Sequence, residues 1–296
     1  MISLIVCTKN KNSLSRLEQN IKDTIGAVYE LIVVEDAEGS IGICKAYNQG
    51  ASQAKYEFLC FMHDDIAYET PDWGPILCNL LADKSIGLIG VAGGIVKTKV
   101  PSDWKGRFEG EEIYMVQHFK FRNEAPLLCY KNYSKLILAD VVSLDGTWLC
   151  SRKDVVDSVH FDEKTFTGFH GYDMDFSLQV FQTHRVCVSF EILIHHFSEG
   201  HYSHQWIESA FLICEKWGNK LPLYVPSFSE YLLSKVELLN MKWIMKMMLR
   251  NHYSFARVFG MLVKYSLKVQ SKPALFIRAF IKLIEYKCRL FMTKKI

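Results

Sequence analysis

The sequence predicts an α/β fold, a mostly parallel sheet flanked by helices, followed by a C-terminal helical appendage. Three observations carry this reading. Short apolar runs alternate with amphipathic stretches through the first third of the chain. Several of those runs end abruptly in acidic residues or histidine. Beyond Pro222 and Pro226 the pattern turns into basic, two-sided helices.

In chain order, Ser3–Cys7 is a short buried strand that closes into the polar loop Thr8-Lys9-Asn10-Lys11-Asn12-Ser13. Leu14, Leu17, Ile21 and Ile25 recur at helical spacing, which predicts a helix over 14–25. Leu31–Val34 is a second strand, ending in Glu35-Asp36 before a Gly-containing loop. Residues 41–54 read as a helix with small residues on one face. Phe58–Met62 is a buried strand that ends in His63-Asp64-Asp65. Trp73–Leu81 reads as a helix and Gly87–Ala92 as a further buried strand. Residues 95–140 mix Gly, Trp, Arg and aromatics and predict loops or antiparallel strands laid over the sheet. A strand over 139–144 ends in Asp145-Gly146, a short helix covers 153–159, an amphipathic helix covers 171–183, and a last strand over 185–194 ends in His195-His196.

The 296 residues suffice for one large α/β domain and an appendage, placed at 1–220 and 221–296. An apolar fraction of 49% and a charged fraction of 23% exclude wholesale disorder. Nine cysteines stand singly, without a Cys-x-x-Cys pair, and read as reduced thiols of a cytoplasmic protein. The N-terminus lacks signal-peptide flanks, and no charge-free apolar run approaches the roughly 18 residues that span a bilayer. Residues 235–296 carry 14 Lys and Arg against two acids, a net of +12, whereas the preceding 234 carry 21 against 30, a net of −9. A basic tail on an acidic body points to an anionic surface as partner, with the cytoplasmic face of a membrane favoured by the amphipathic, aromatic-rich pattern. Arg278, Lys282, Glu285 and Arg289 share one face, with Phe276, Phe280, Leu283, Ile284 and Phe291 on the other. A helical hairpin with a solvated basic face is the alternative. Nucleic acid fits poorly, because the acidic strand ends would repel its phosphates.

Adjacent carboxylates at the carboxyl end of a buried strand are costly unless a cation lies beside them. Open α/β sheets bind ligands at those ends, and hard oxygen ligands suit Mg²⁺ or Mn²⁺ on a diphosphate. A turn or helix-cap carboxylate is the simpler alternative for any one of them. Four such ends, at Glu35-Asp36, His63-Asp64-Asp65, Asp145 and His195-His196, imply a site for a metal and a polar substrate.

Seven segments then match a known family in order: 3–10, 30–36, 46–51, 57–66, Asp145-Gly146-Thr147, Phe161-Asp162-Glu163 and 171–178. Over about residues 1–205 the chain resembles a GT-A glycosyltransferase of the large inverting family 2, particularly its StrF-type branch. The resemblance implies a nucleotide-sugar donor (a UDP-, GDP- or dTDP-sugar), a divalent metal (Mn²⁺ or Mg²⁺), and a glycan or lipid-linked acceptor. It implies that Asp36, with Glu35 beside it, holds the uracil or ribose, that Thr8 and Asn10 line the nucleotide pocket, and that Lys45 and Asn48 contact the base or diphosphate. The family's Asp-x-Asp corresponds to His63-Asp64-Asp65: Asp65 becomes the metal ligand, Asp64 a ribose or outer group, and His63, which replaces the first acid, a ribose contact. His196 resembles a late histidine that completes the metal shell. Asp173 takes the part of general base, with Asp175 as the fallback and Tyr172 standing where the family commonly has Glu; an N-cap is the other reading of Asp173. Asp145 and Trp148 fall beneath the acceptor.

Three other classes were weighed. An oxidoreductase would need a Gly-x-Gly-x-x-Gly first turn, which is missing. A sugar-phosphate nucleotidyltransferase would need a Gly-rich basic first loop. A non-enzymatic membrane- or glycan-binding module would leave the acidic strand ends without purpose.

Overall fold

In a computed structural model, all residues are described except 37–40, 106, 108, 269–272 and 294–296. The loop expected after Asp36 falls largely on the first of these gaps, and the side chains of Arg289 and Phe291 also lie outside the described set. The chain forms two compact units, one of Met1–Ile95 with Glu109–Gly200 and one of Val96–Phe108 with His201–Ile296.

The first unit is built on a seven-stranded sheet. Its strands β1 (Ile2–Thr8), β2 (Tyr29–Glu35) and β3 (Phe58–Met62) run parallel, with β1 between the other two. Ile2, Leu4, Ile5 and Val6 of β1 have no exposed surface, which is why this strand reads as a continuous apolar run and not as an alternation. Helices α1 (Lys11–Thr24) and α2 (Ile43–Gln53) follow β1 and β2. Asn10 starts α1, its side-chain oxygen accepting from the backbone N–H groups of Asn12 and Ser13 at 3.0 and 3.4 Å. Gly50 lets α2 lie against β1, since a Cβ there would fall 2.3 Å from the Ile5 side chain. Phe61 packs between Tyr47 and Phe161, ring centroids 5.1 and 4.9 Å away.

The sheet is less parallel than the sequence predicts. Trp148–Arg152 enters antiparallel between β3 and Ile86–Gly90, and Leu138–Val141 pairs antiparallel with Arg185–Ser189 at the edge. Two runs predicted as single strands each switch sheets. Leu138–Val141 stays in the main sheet while Ser143–Leu144 joins a second one, and Arg185–Ser189 is likewise followed by Ile194–His196 in that second sheet. The second sheet also takes Ile66–Tyr68, Ala92–Gly94, Glu111–Gln117 and, as a hairpin partner, Leu127–Lys131. An apolar run looks the same whether or not the chain bends midway, so the switch leaves no periodic signal.

In the second unit, Val96–Lys97 pairs antiparallel with Leu223–Tyr224, and Asp103 accepts a two-pronged ion pair from Arg107 at 2.9 and 3.0 Å. Helices follow at Leu233–Arg250, Phe255–Lys268 and Pro273–Thr293. On the last, Ala279 and Leu283 are buried while Ile277, Ile281 and Ile284 form an exposed apolar stripe beside Arg278 and Lys282. The apolar face thus lies rotated from the one expected, because Leu283 packs inward. No helix among the described residues is long and apolar enough to cross a membrane.

Phe61→Ala should lower unfolding free energy by about 3–5 kcal/mol, read as a shifted urea midpoint at unchanged slope. A midpoint within error of the parent would contradict the packing described for this ring.

Candidate active site

The parallel register of β1, β2 and β3 delivers Thr8, Glu35-Asp36 and His63-Asp64-Asp65 to one edge of the sheet. Trp148–Arg152 runs the other way, with Trp148 opposite Met62, so the turn Asp145-Gly146-Thr147 that precedes it arrives at that edge too. The His63 N–H donates to the Thr147 carbonyl at 3.1 Å. His196 comes from the second sheet, paired opposite Ile66, and the next N–H, of Phe197, donates to the Asp65 carbonyl at 2.9 Å. The helix Tyr172–Val180 presents its N-terminus to Gly146, where an added Cβ would lie 2.0 Å from the Tyr172 hydroxyl.

His63, Asp65 and His196 each offer one ligand atom, all within 4.8 Å of one another. Asp65 Oδ1 lies 3.9 Å from His63 Nδ1 and 3.7 Å from His196 Nε2. Both Asp65 Oδ1 and His196 Nε2 are buried without a hydrogen-bond partner. Each orphaned group costs about 1–3 kcal/mol, so their meeting fits a cation that would satisfy both. Burial, then the charge of His196, lowers the His63 pKa despite the nearby carboxylates, which favours the neutral imidazole that a metal needs.

Beside this triad opens a cavity of about 350 Å³, within the range of small-ligand sites. Lys9, Asn10, Asp36, Asp64, Asp65, Lys120 and Phe169 are among its lining. Asp36 is buried, accepts from the Ile41 N–H at 3.1 Å and lies 4.0 Å from the Lys9 ammonium. Thr8 does not line the cavity, but its hydroxyl donates to Asp64 Oδ2 and tethers that carboxylate. Burial, with Asp65 adding repulsion, raises the Asp64 pKa in spite of this bond.

Asp145 and Asp173 diverge in acidity. Burial works against the Asp145 carboxylate, yet His196 and the hydrogen bonds from Thr147 hold its pKa below the ordinary value. Asp173 is half-buried, and desolvation followed by repulsion from Asp145 pushes its pKa up to about 7, although the Met174, Asp173 and Gly146 amides oppose the shift.

Several residues singled out from the sequence lie elsewhere. Trp148 is fully buried, edge-on to Trp73 and Tyr68 at 6.3 Å from each, so its ring is closed to a sugar. Asn48 is engaged by the Phe161 backbone, donating to its carbonyl at 2.9 Å and accepting from its N–H at 3.0 Å. It locks α2 to that segment and does not line the cavity. Lys45 and Glu35 are exposed and also absent from the described lining. Asp175 is 1% exposed, its Oδ2 accepting from Gln179 at 3.0 Å, which points it into the unit. Lys45, Asn48 and Asp175 lie on helices that the pattern predicts, whereas Trp148 lies on an antiparallel strand that the pattern does not show. Lys120 and Phe169 were not anticipated: they stand in irregular segments whose composition carries no periodic cue.

The fold is of the GT-A type. Residues 3–218 match the glycosyltransferase-like family, and the chain belongs to it. Among solved structures it is similar to the mannosyltransferase PcManGT from Pyrobaculum calidifontis in complex with GDP-Man and Mn²⁺, at 13% identity and a TM-score of 0.50, over 96% of this chain and 86% of that one. TarS of S. aureus matches at 15% identity and a TM-score of 0.49 over 96% and 49%, and GalNAc-T7 with UDP, GalNAc and Mn²⁺ at 10% and 0.48 over 67% and 44%. The chain thus spans less than half of the latter two. A comparison with curated proteins found no match.

The raised Asp173 pKa carries a stability consequence. Its folded value, about 7, lies above the unfolded one, so the folded state holds the extra proton and loses stability as pH rises through that window. In metal-free buffer, Asp173→Asn should therefore match the parent near pH 4 and become progressively more stable than it up to about pH 7, levelling off above. A pH-independent difference would contradict the environment described.

Proposed function

We propose that the chain is a metal-dependent inverting glycosyltransferase. In this reading it moves a sugar from a nucleotide-diphosphate donor to a hydroxyl of a glycan or lipid-linked acceptor at the cytoplasmic membrane face, with a transferase domain over 1–220 and a basic helical extension over 221–296. The observation that carries it is the convergence of Asp36, Asp64, Asp65, His63 and His196 on one edge beside a single cavity, with two buried ligand atoms left unpartnered. GDP-Man and Mn²⁺ in the mannosyltransferase neighbour support a nucleotide sugar and a divalent ion here. The order of the seven sequence segments supports the StrF-type branch.

Asp36, fixed by the Ile41 amide and faced by Lys9, is placed to hold the nucleoside. Lys9 and Lys120 set positive charge against the donor phosphates. Asp65, His63 and His196 would hold the ion, which when bound neutralises the diphosphate leaving group. Asp173 takes the acceptor hydroxyl proton as that oxygen attacks the anomeric carbon from the face opposite the diphosphate; a carboxylate titrating near neutrality suits the task. Asp145 sustains that pKa by repulsion.

Mn²⁺ with UDP or GDP at about 100 times Kd should stabilise the protein by about 2.7 kcal/mol, reversibly with EDTA; no response to any nucleoside diphosphate would favour the binding-module reading. A panel of nucleotide sugars then identifies the donor. Asp173→Asn should lower kcat by about 10²–10⁴ with nucleotide affinity nearly unchanged, and the parent's kcat/KM should rise with pH through about 7. Retained turnover would move the base elsewhere, and a product of retained anomeric configuration would end the inverting assignment.

The exposed stripe of Ile277, Ile281 and Ile284 beside Arg278 and Lys282 supports membrane contact. Replacing Ile277 and Ile281 with Glu should abolish co-sedimentation with anionic vesicles. Unchanged co-sedimentation would remove this helix from the proposal.

A further inference from the structure

His63 and Tyr172, far apart in the sequence, touch each other. His63 Nε2 lies 2.8 Å from the Tyr172 hydroxyl, and that hydroxyl lies 3.0 Å from the Gly146 carbonyl. A carbonyl can only accept, so the single phenolic proton goes to Gly146 and the hydroxyl oxygen is left to accept from His63. His63 therefore carries its proton on Nε2, and its lone pair stands on Nδ1. That nitrogen is the one 3.9 Å from the unpartnered Asp65 Oδ1, which His196 Nε2 approaches at 3.7 Å from another direction. The arrangement is enforced sterically. Gly146 lacks the Cβ that would fall 2.0 Å from the hydroxyl, and the Tyr172 ring is held edge-on to Tyr47 at 5.6 Å.

We propose that His63 is a metal ligand through Nδ1, not a ribose contact, and that Tyr172 is the positioning residue that fixes its tautomer. This rests on the metal-dependent reading above and deepens it. The consequence is selectivity. Two imidazole nitrogens and one carboxylate form a borderline ligand set, which suits Mn²⁺ and later first-row ions, whereas Mg²⁺ prefers oxygen and keeps its water. Replacing an acid by His63 moves the site away from Mg²⁺, and an imidazole can take that part only if its lone pair faces the ion. Tyr172 supplies that condition. It also ties the ligand to the helix that begins with Tyr172 itself and carries Asp173 as its next residue.

The test is direct metal binding to the full chain without nucleotide, following free Mn²⁺ by electron paramagnetic resonance and Mg²⁺ by competition. Mn²⁺ should bind at least about tenfold more tightly than Mg²⁺. Tyr172→Phe, which keeps the buried ring, should weaken Mn²⁺ binding by about 10–100-fold, with circular dichroism and metal-free nucleotide affinity unchanged. Nitrogen-15 NMR of the metal-free protein should place the His63 proton on Nε2 in the parent and lose that preference in Tyr172→Phe. His63→Asp should bind Mg²⁺ more tightly than the parent does. Parent-like Mn²⁺ affinity in His63→Ala, or a His63 proton on Nδ1, would overturn the inference. Should Asp65→Ala and His196→Ala still abolish Mn²⁺ binding in that event, metal dependence would survive without it; should they also leave it intact, the metal reading itself would fall.

Discussion

Asp64 and Asp65 leave the sheet side by side where β3 ends, and the protein gives them little with which to neutralise one another's charge. Thr8 holds Asp64, while Asp65 keeps one buried oxygen unpartnered. A buried carboxylate oxygen without a hydrogen bond is costly, and the rest of the edge is grouped around it. His63 and His196 approach Asp65 from two sheets, Asp36 is moored to a backbone amide, and the cavity is lined by Asp36, Asp64 and Asp65 together. A divalent ion and a phosphate-bearing ligand would complete this set of groups.

Convergence of that kind requires the antiparallel insertion and the second sheet. With parallel strands alone, the residues before Trp148 would emerge at the opposite edge from His63. Because Trp148–Arg152 runs against β3, the turn Asp145-Gly146-Thr147 closes over the end of β3 and receives the N-terminus of the helix at Tyr172. The switch of sheets after Arg185–Ser189 likewise carries His196 across to Asp65. The features that break the simple βαβ pattern are those that assemble the chemistry.

Two carboxylates near each other illustrate how environment divides labour. Asp145, flanked by His196 and bonded by Thr147, is held below the ordinary carboxylate pKa; burial, and then the Asp145 charge, raises Asp173 in the first turn of its helix. Environments that push neighbouring acids apart in pKa are the arrangement that acid–base chemistry uses. Tyr172, one position earlier, ties that helix to His63, so Asp173 and the histidine are set by one rigid element.

Much of this was legible in the residues themselves. The apolar runs of β1 and β3, and the acids that follow β2 and β3, have direct compositional signals, because a strand buried on both faces must be apolar and a charge at a strand end is conspicuous. Asp36, Asp64, Asp65 and His196 could be named on that ground. The sequence could not tell that Trp148 would be sealed against Trp73, that Asn48 would clasp the Phe161 backbone, or that Lys120 and Phe169 would border the cavity. Nor could it tell that His63 would meet Tyr172. Local composition determines which segments are strands and where charge must leave the core. Only the tertiary structure decides which of those charges meet, because strand direction and sheet switching are settled by packing between segments far apart in the chain.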